Sequence, residues 1–113
     1  MKIKHAIELL IRKEELTFKD EHDTIKSILL VSEFVIGSFC KKRFMTFSKI
    51  LRKCVQIMNR VIDTYVHEHF VTKTKREVEH HLRTRLEKTY EQYKNNNFTC
   101  FRYISCVCMM RNL

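Results

Sequence analysis

A chain of 113 residues with no proline and a single glycine, Gly37, contains almost nothing that stops or bends an α-helix. All-β folds need such residues at their many corners. The sequence therefore predicts an all-α fold, a compact bundle of four or five helices forming one domain over 1–113. An apolar content of 44% and a charged content of 31% are globular values rather than those of a disordered tail. The length suffices to bury a core without disulfides or a metal. Alanine and tryptophan are as scarce as glycine and proline, and all four use GC-rich codons. That bias suits an AT-rich genome such as that of a virus.

Hydrophobic spacing divides the chain into segments. Over 2–15, Ile3, Ala6, Ile7, Leu10 and Ile11 recur at helical intervals, opposite Lys4, Glu8, Arg12 and Glu15. A charged connector follows, with Asp20 placed to cap the next helix. Residues 21–40 are apolar nearly all round, with a thin polar edge at Lys26, Glu33 and Gly37, which predicts a buried central helix. Gly37 costs about 1 kcal/mol relative to alanine inside a helix, so a close backbone approach or a helix end is expected there.

Residues 44–69 give the cleanest pattern, with Phe47, Ile50, Leu51, Cys54, Val55, Met58, Val61, Ile62 and Tyr65 on one face. Thr46 is the candidate cap, and Val66 to Phe70 either extend this helix or end it. A further helix over 75–94 is expected to open on a capping box, Thr74 with Glu77. Its apolar stripe of Val78, Leu82, Leu86, Tyr90 and Tyr93 is narrow. Such a stripe either covers a core from outside or forms a homodimer through residues 78–93. Asn95, Asn96 and Asn97 break the pattern, and the sulfur-rich tail over 98–113 is expected to form a fifth helix.

Charge is unevenly distributed. Between Glu33 and Asp63 the chain carries Lys41, Lys42, Arg43, Lys49, Arg52, Lys53 and Arg60 and no acidic residue, so most of the formal +9 sits in one stretch. On a helix, Lys49, Lys53, Gln56 and Arg60 share a face, with Arg52 and Asn59 beside them. Lys49 to Arg60 then spans roughly 16 Å, enough to lie along a nucleic-acid groove. Lysine and arginine neutralise phosphates and release counterions, so duplex RNA or DNA bound by shape and backbone is the leading expectation. Lys73, Lys75, Arg76 and Arg83 are auxiliary, since Glu79 and Glu87 stand four residues either side of Arg83 and such spacing favours ion pairs within the helix.

Nucleic-acid binding is not the sole origin such a charge bias can have. A charged face is what any amphipathic helix presents to water, and Asp20, Glu21, Asp23 or Glu33 from the preceding helix would neutralise it. An acidic protein partner or an anionic membrane surface would also fit. A further alternative is a non-enzymatic protein-interaction module, with Phe18, Phe70, Tyr90, Tyr93, Phe98, Tyr103 and Met109 as contacts if they are exposed.

Catalytic signatures are missing: there is no phosphate-binding glycine loop, no nucleophile elbow and no local Cys/His motif, so neither an enzyme nor a cofactor is expected. No two of His5, His22, His67, His69, His80 and His81 stand four apart. The members of the His67/His69 and His80/His81 pairs are expected on different sides of their helices, as surface or boundary residues. Cys100, Cys106 and Cys108 lack the spacing of a zinc site, so no metal is expected, and Cys40 and Cys54 read as small buried hydrophobes. Five cysteines, with Glu8 interrupting any leader-like apolar run, point to free thiols inside the cell. The longest apolar run, Ile28 to Cys40, is 13 residues, against about 20 needed to cross a bilayer.

Overall fold

The computed structural model describes residues 2–39 and 46–95, which form four helices and no strand: α1 (Lys2–Lys13), α2 (Glu21–Phe39), α3 (Phe47–Tyr65) and α4 (Glu68–Asn95). The fold is the expected all-α bundle of four helices. The fifth helix over 98–113, together with Cys40 and the Lys41–Lys42–Arg43 triplet, lies outside the described residues.

Each helix end has a local cause. The N–H of Leu16 reaches back to the Ile11 carbonyl at 3.0 Å and that of Glu15 to Arg12 at 3.3 Å, the bond pair of a Schellman motif that ends α1. Glu15 occupies the left-handed position there, at φ 52°, where glycine is the usual occupant. The expected helix over 2–15 is two residues shorter for this reason. Asp20 caps α2 as anticipated, its Oδ1 accepting from the Asp23 N–H at 2.8 Å. Ser27 donates to the Thr17 carbonyl at 2.8 Å and pins the connector onto α2. Thr46 caps α3, its hydroxyl oxygen accepting from the Lys49 N–H at 3.3 Å.

The second half of the chain departs from expectation. Of the two outcomes open to Val66 to Phe70, the structure shows the ending: α3 stops at Tyr65, where Val66 turns extended (φ −89°, ψ 135°). His67 then caps α4, its Nδ1 accepting from the His69 N–H at 3.3 Å while its carbonyl accepts from Phe70 at 2.8 Å. The two rings stack with centroids 4.8 Å apart, so His67 and His69 lie together rather than on different sides of one helix. Helix α4 begins seven residues earlier than the Thr74–Glu77 pattern suggested, and Thr74 is buried in its interior, not at its start.

Helix α2 is the central element. Ile28, Val31 and Val35 are fully buried, and they meet Ile50, Cys54, Met58 and Ile62 of α3 and Val78, Leu82 and Leu86 of α4. Gly37 is buried too, so the exposed edge of α2 runs instead through Lys26 and Leu30, with Glu33 half-buried beside them. The pair α3 and α4 shares the most extensive contact and runs antiparallel: Phe47 lines a recess with Glu87 and Glu91 at one end, and Asp63 meets Lys75 at the other. Helix α1 packs on α2, contributes Ile7 to the core, and makes no close backbone approach to α3 or α4. Val78, Leu82 and Leu86, the described part of the stripe expected to form a homodimer, are occupied by the chain's own core.

Two core hydroxyls, Thr24 Oγ1 and Thr74 Oγ1, are buried with no hydrogen-bond partner among the described residues. An unmet buried hydroxyl costs about 1–3 kcal/mol. Thr74→Val, which replaces the hydroxyl by a methyl of similar size, is expected to raise unfolding free energy by about 1 kcal/mol in urea titration. A loss of stability would show that the hydroxyl is satisfied in solution.

Candidate nucleic-acid interface

Amphipathicity fixes the orientation of α3. Because Ile50, Cys54, Met58, Val61 and Ile62 enter the core, the opposite side carries Lys49, Arg52, Lys53, Gln56 and Arg60, all exposed to solvent. The cations therefore form a strip along one ridge of the molecule. None of Lys49, Arg52, Lys53 or Arg60 makes an ion pair among the described residues.

The carboxylates expected to neutralise that strip are directed elsewhere. Glu21 pairs with Lys73 of α4. Glu33 uses one oxygen for Arg85 Nε at 3.1 Å and the other for His81 Nε2 at 3.2 Å, both on α4. Asp23 accepts from the Thr17 hydroxyl at 3.1 Å, and Asp20 is consumed as a cap. Beyond the strip's far end, Asp63 takes Lys75 at 2.9 Å. Glu21 and Glu33 thus brace α2 against α4, and none of Asp20, Glu21, Asp23 and Glu33 pairs with the cations of α3.

These pairs also sort the auxiliary cations. Lys73 and Lys75 are engaged, whereas Arg76 and Arg83 are exposed and make no ion pair among the described residues. The anticipated pairs of Arg83 with Glu79 and Glu87 do not form. Side-chain entropy outweighs the few tenths of a kcal/mol that an exposed pair of this spacing offers. Arg83 instead lines a groove of about 360 Å³ between α3 and α4, with Arg52, Gln56, Ser48 and Glu79.

Two further recesses flank the bundle. One of about 380 Å³ lies between α1 and α3, with an apolar floor of Ile3, Ile7, Ile57, Val61 and Tyr65 and with Lys4, Glu8, Arg60 and Asp63 also lining it. The other, of about 560 Å³, sits where α1 turns into α2 and is lined by Glu14, Glu15, Asp23, Lys26, Glu33 and His81.

Burial pushes the Cys54 thiol up to about 12, which keeps it protonated and unreactive. Among the described residues no group of three or more His, Cys, Asp or Glu could hold a metal ion; Cys100, Cys106 and Cys108 lie outside them. No helix among the described residues is long and apolar enough to cross a membrane. Phe18 and Phe70, candidate protein contacts, are half-buried, Phe18 against Tyr65 with ring centroids 5.6 Å apart. The side chains of Tyr90 and Tyr93, like Phe98, Tyr103 and Met109, lie outside what the structure describes.

His81 is the residue whose partner the sequence hid. The available signal was Glu33, the one carboxylate within the apolar run of α2, since a charge in such a place needs a partner. No protein-family model matches this chain, and no curated protein or solved structure shows significant similarity to it.

The hydrogen bond from His81, assisted by the charge of Arg85, holds the Glu33 carboxyl below its ordinary 4.5, although partial burial works in the opposite direction. A depressed carboxyl stabilises the fold fully above its unfolded value and loses that contribution as pH falls through the folded value. Glu33→Gln is therefore expected to lower stability by roughly 1–2 kcal/mol at pH 7, with the gap to wild type narrowing as pH falls below the ordinary carboxyl value of 4.5. Urea midpoints measured from neutral to acid pH check this, and a gap that does not narrow as the carboxyl protonates would contradict it.

Proposed function

We propose that this protein binds nucleic acid without sequence readout, gripping the phosphate backbone of duplex RNA or DNA through the polar face of α3. The observation that carries this is the row of Lys49, Arg52, Lys53 and Arg60, exposed and without ion pairs among the described residues, while Glu21 and Glu33 of α2 are paired with α4. A face selected only for solubility gains from interspersed signs, and four cations on one ridge repel one another. A polyanion removes that repulsion and releases its own counterions.

The aromatic side chains favour a duplex. Among the described residues Phe47, Tyr65 and Phe70 pack against the core, and Phe47 alone of the three also lines the α3–α4 groove beside Arg52 and Arg83, so no row of aromatics accompanies the cations to stack successive unpaired bases. Gln56 on the ridge and Asn59 at its edge donate to phosphate or sugar oxygens as readily as to base edges. Lys41, Lys42 and Arg43 extend the same charge along the sequence just before α3. The protein acts in this view as a binding protein, with no reaction of its own.

A salt titration of binding to duplex RNA, duplex DNA and single strands tests the proposal. Wild type is expected to bind duplexes with a dissociation constant of about 1–100 μM near physiological salt, weakening steeply as salt rises. Lys49→Glu/Lys53→Glu should lose at least about tenfold and flatten the salt dependence by about two phosphate contacts. Absence of binding by wild type at low salt would end the proposal.

The α1–α3 recess supports a second reading, a protein-interaction module. Its apolar floor is open because α1 packs on α2 alone, and it is wide enough to take side chains of an amphipathic helix. The two readings separate on Ile57→Lys, which places a charge on that floor. Nucleic-acid affinity is expected to stay within about twofold of wild type, since one added surface charge changes polyanion binding little. A large loss of association with a protein partner would move the function to this recess.

A further inference from the structure

We infer that the polyanion is gripped by two helices, with a backbone phosphate seated over the α3–α4 groove between Arg52 and Arg83, and that Glu79 beside them restrains the affinity. This rests on the nucleic-acid reading above and extends the site onto α4. Arg52 leaves α3 on the side that faces α4, and Arg83 leaves α4 toward α3, so both line one groove of about 360 Å³. Both are exposed, and neither makes an ion pair among the described residues.

Two guanidinium groups converging from antiparallel helices offer more than added charge. Each presents a planar fork of donors that matches two oxygens of one phosphate. Ser48 and Gln56 supply neutral donors in the same groove. Glu79 lies within this group and is bonded to neither arginine, although Arg83 stands four residues on along α4. Its carboxylate therefore does not cancel the cations by pairing. It stays near the place a phosphate would occupy and repels it. A backbone binder without sequence readout that must also release its ligand gains from such an opposing charge.

The test compares wild type, Arg83→Glu, Glu79→Gln and the Lys49→Glu/Lys53→Glu reference by fluorescence anisotropy, on a mixed-sequence duplex at several salt concentrations. Circular dichroism checks that each variant keeps its helix content, and poly-glutamate serves as the acidic-polypeptide probe. Arg83→Glu is expected to weaken duplex binding about tenfold and lower the salt slope by about one. Glu79→Gln is expected to tighten it about threefold, a gain that a merely destabilised protein would not show. If Arg83→Glu binds as wild type while the α3 reference loses binding, the grip is confined to α3 and the inference is overturned. If Glu79→Gln binds no more tightly, the role given to Glu79 is overturned. Wild-type affinity in the α3 reference itself would instead move the grip off α3 and remove this extension, whereas no duplex binding by wild type at low salt would remove the nucleic-acid reading itself. Equal binding of poly-glutamate at matched charge would replace the phosphate by an acidic polypeptide and overturn the inference.

Discussion

The burial of α2 is the constraint on which the rest of this structure depends. A helix apolar around most of its circumference has to be covered on several sides, and here the other three helices cover it. Its carboxylates are consequently confined to its edges and its first turn, where α4 supplies the cations within reach of Glu21 and Glu33. Glu21 and Glu33 use Lys73, His81 and Arg85, and the bundle is braced along one seam. The exposed Glu21–Lys73 pair contributes little to stability and the half-buried Glu33 cluster more, and both fix where charge remains. Negative charge is taken up between α2 and α4, and the cations of α3 are left facing solvent.

The proposed interface follows from that segregation. Helix α3 meets α2 and α4 with its apolar face, and among the described residues no further helix lies over its polar side. The same antiparallel packing that buries Met58 and Leu82 brings Arg52 and Arg83 to one groove. Core packing thus determines which surface cations act together, a grouping that no local stretch of sequence contains.

Much of the bundle was legible in the sequence because its determinants are local. Hydrophobic spacing located α1, α2 and α3 and the two faces of α3, and the short polar side chains of Asp20 and Thr46 marked helix starts by the usual capping chemistry. Cys54 could be placed inside from its position on the apolar face. The failures have equally physical causes. His67 caps α4 with a ring nitrogen, and Val66 makes the preceding break, although neither residue type signals a helix boundary. Thr74 and Glu77 have the spacing of a capping box but lie in a continuous helix, because Phe70, Val71 and Thr74 already pack inward ahead of Val78. Glu33 stands 48 positions from His81 and 52 from Arg85, and only the pairing of α2 with α4 unites them. The candidate strip was therefore visible as a periodic pattern. Its lack of neutralising partners was not, since that depends on where distant carboxylates settle.

The attachment of α1 has a consequence for how the molecule opens. It contributes one buried side chain, Ile7, and leans on α2 without closing against α3. Its last turn is held by a left-handed glutamate, so its docking free energy is a small part of the whole. With Ile7 buried and Ile3, Leu10 and Ile11 only partly so, α1 is the helix expected to open first, its amide protons then exchanging through a local event rather than through global unfolding. Detachment would bare the α1-facing side of α2 and widen the recess beside Arg60 into a continuous apolar shelf. The N-terminal helix would thus act as a removable cover on one flank of the bundle, while the cationic ridge stays in place.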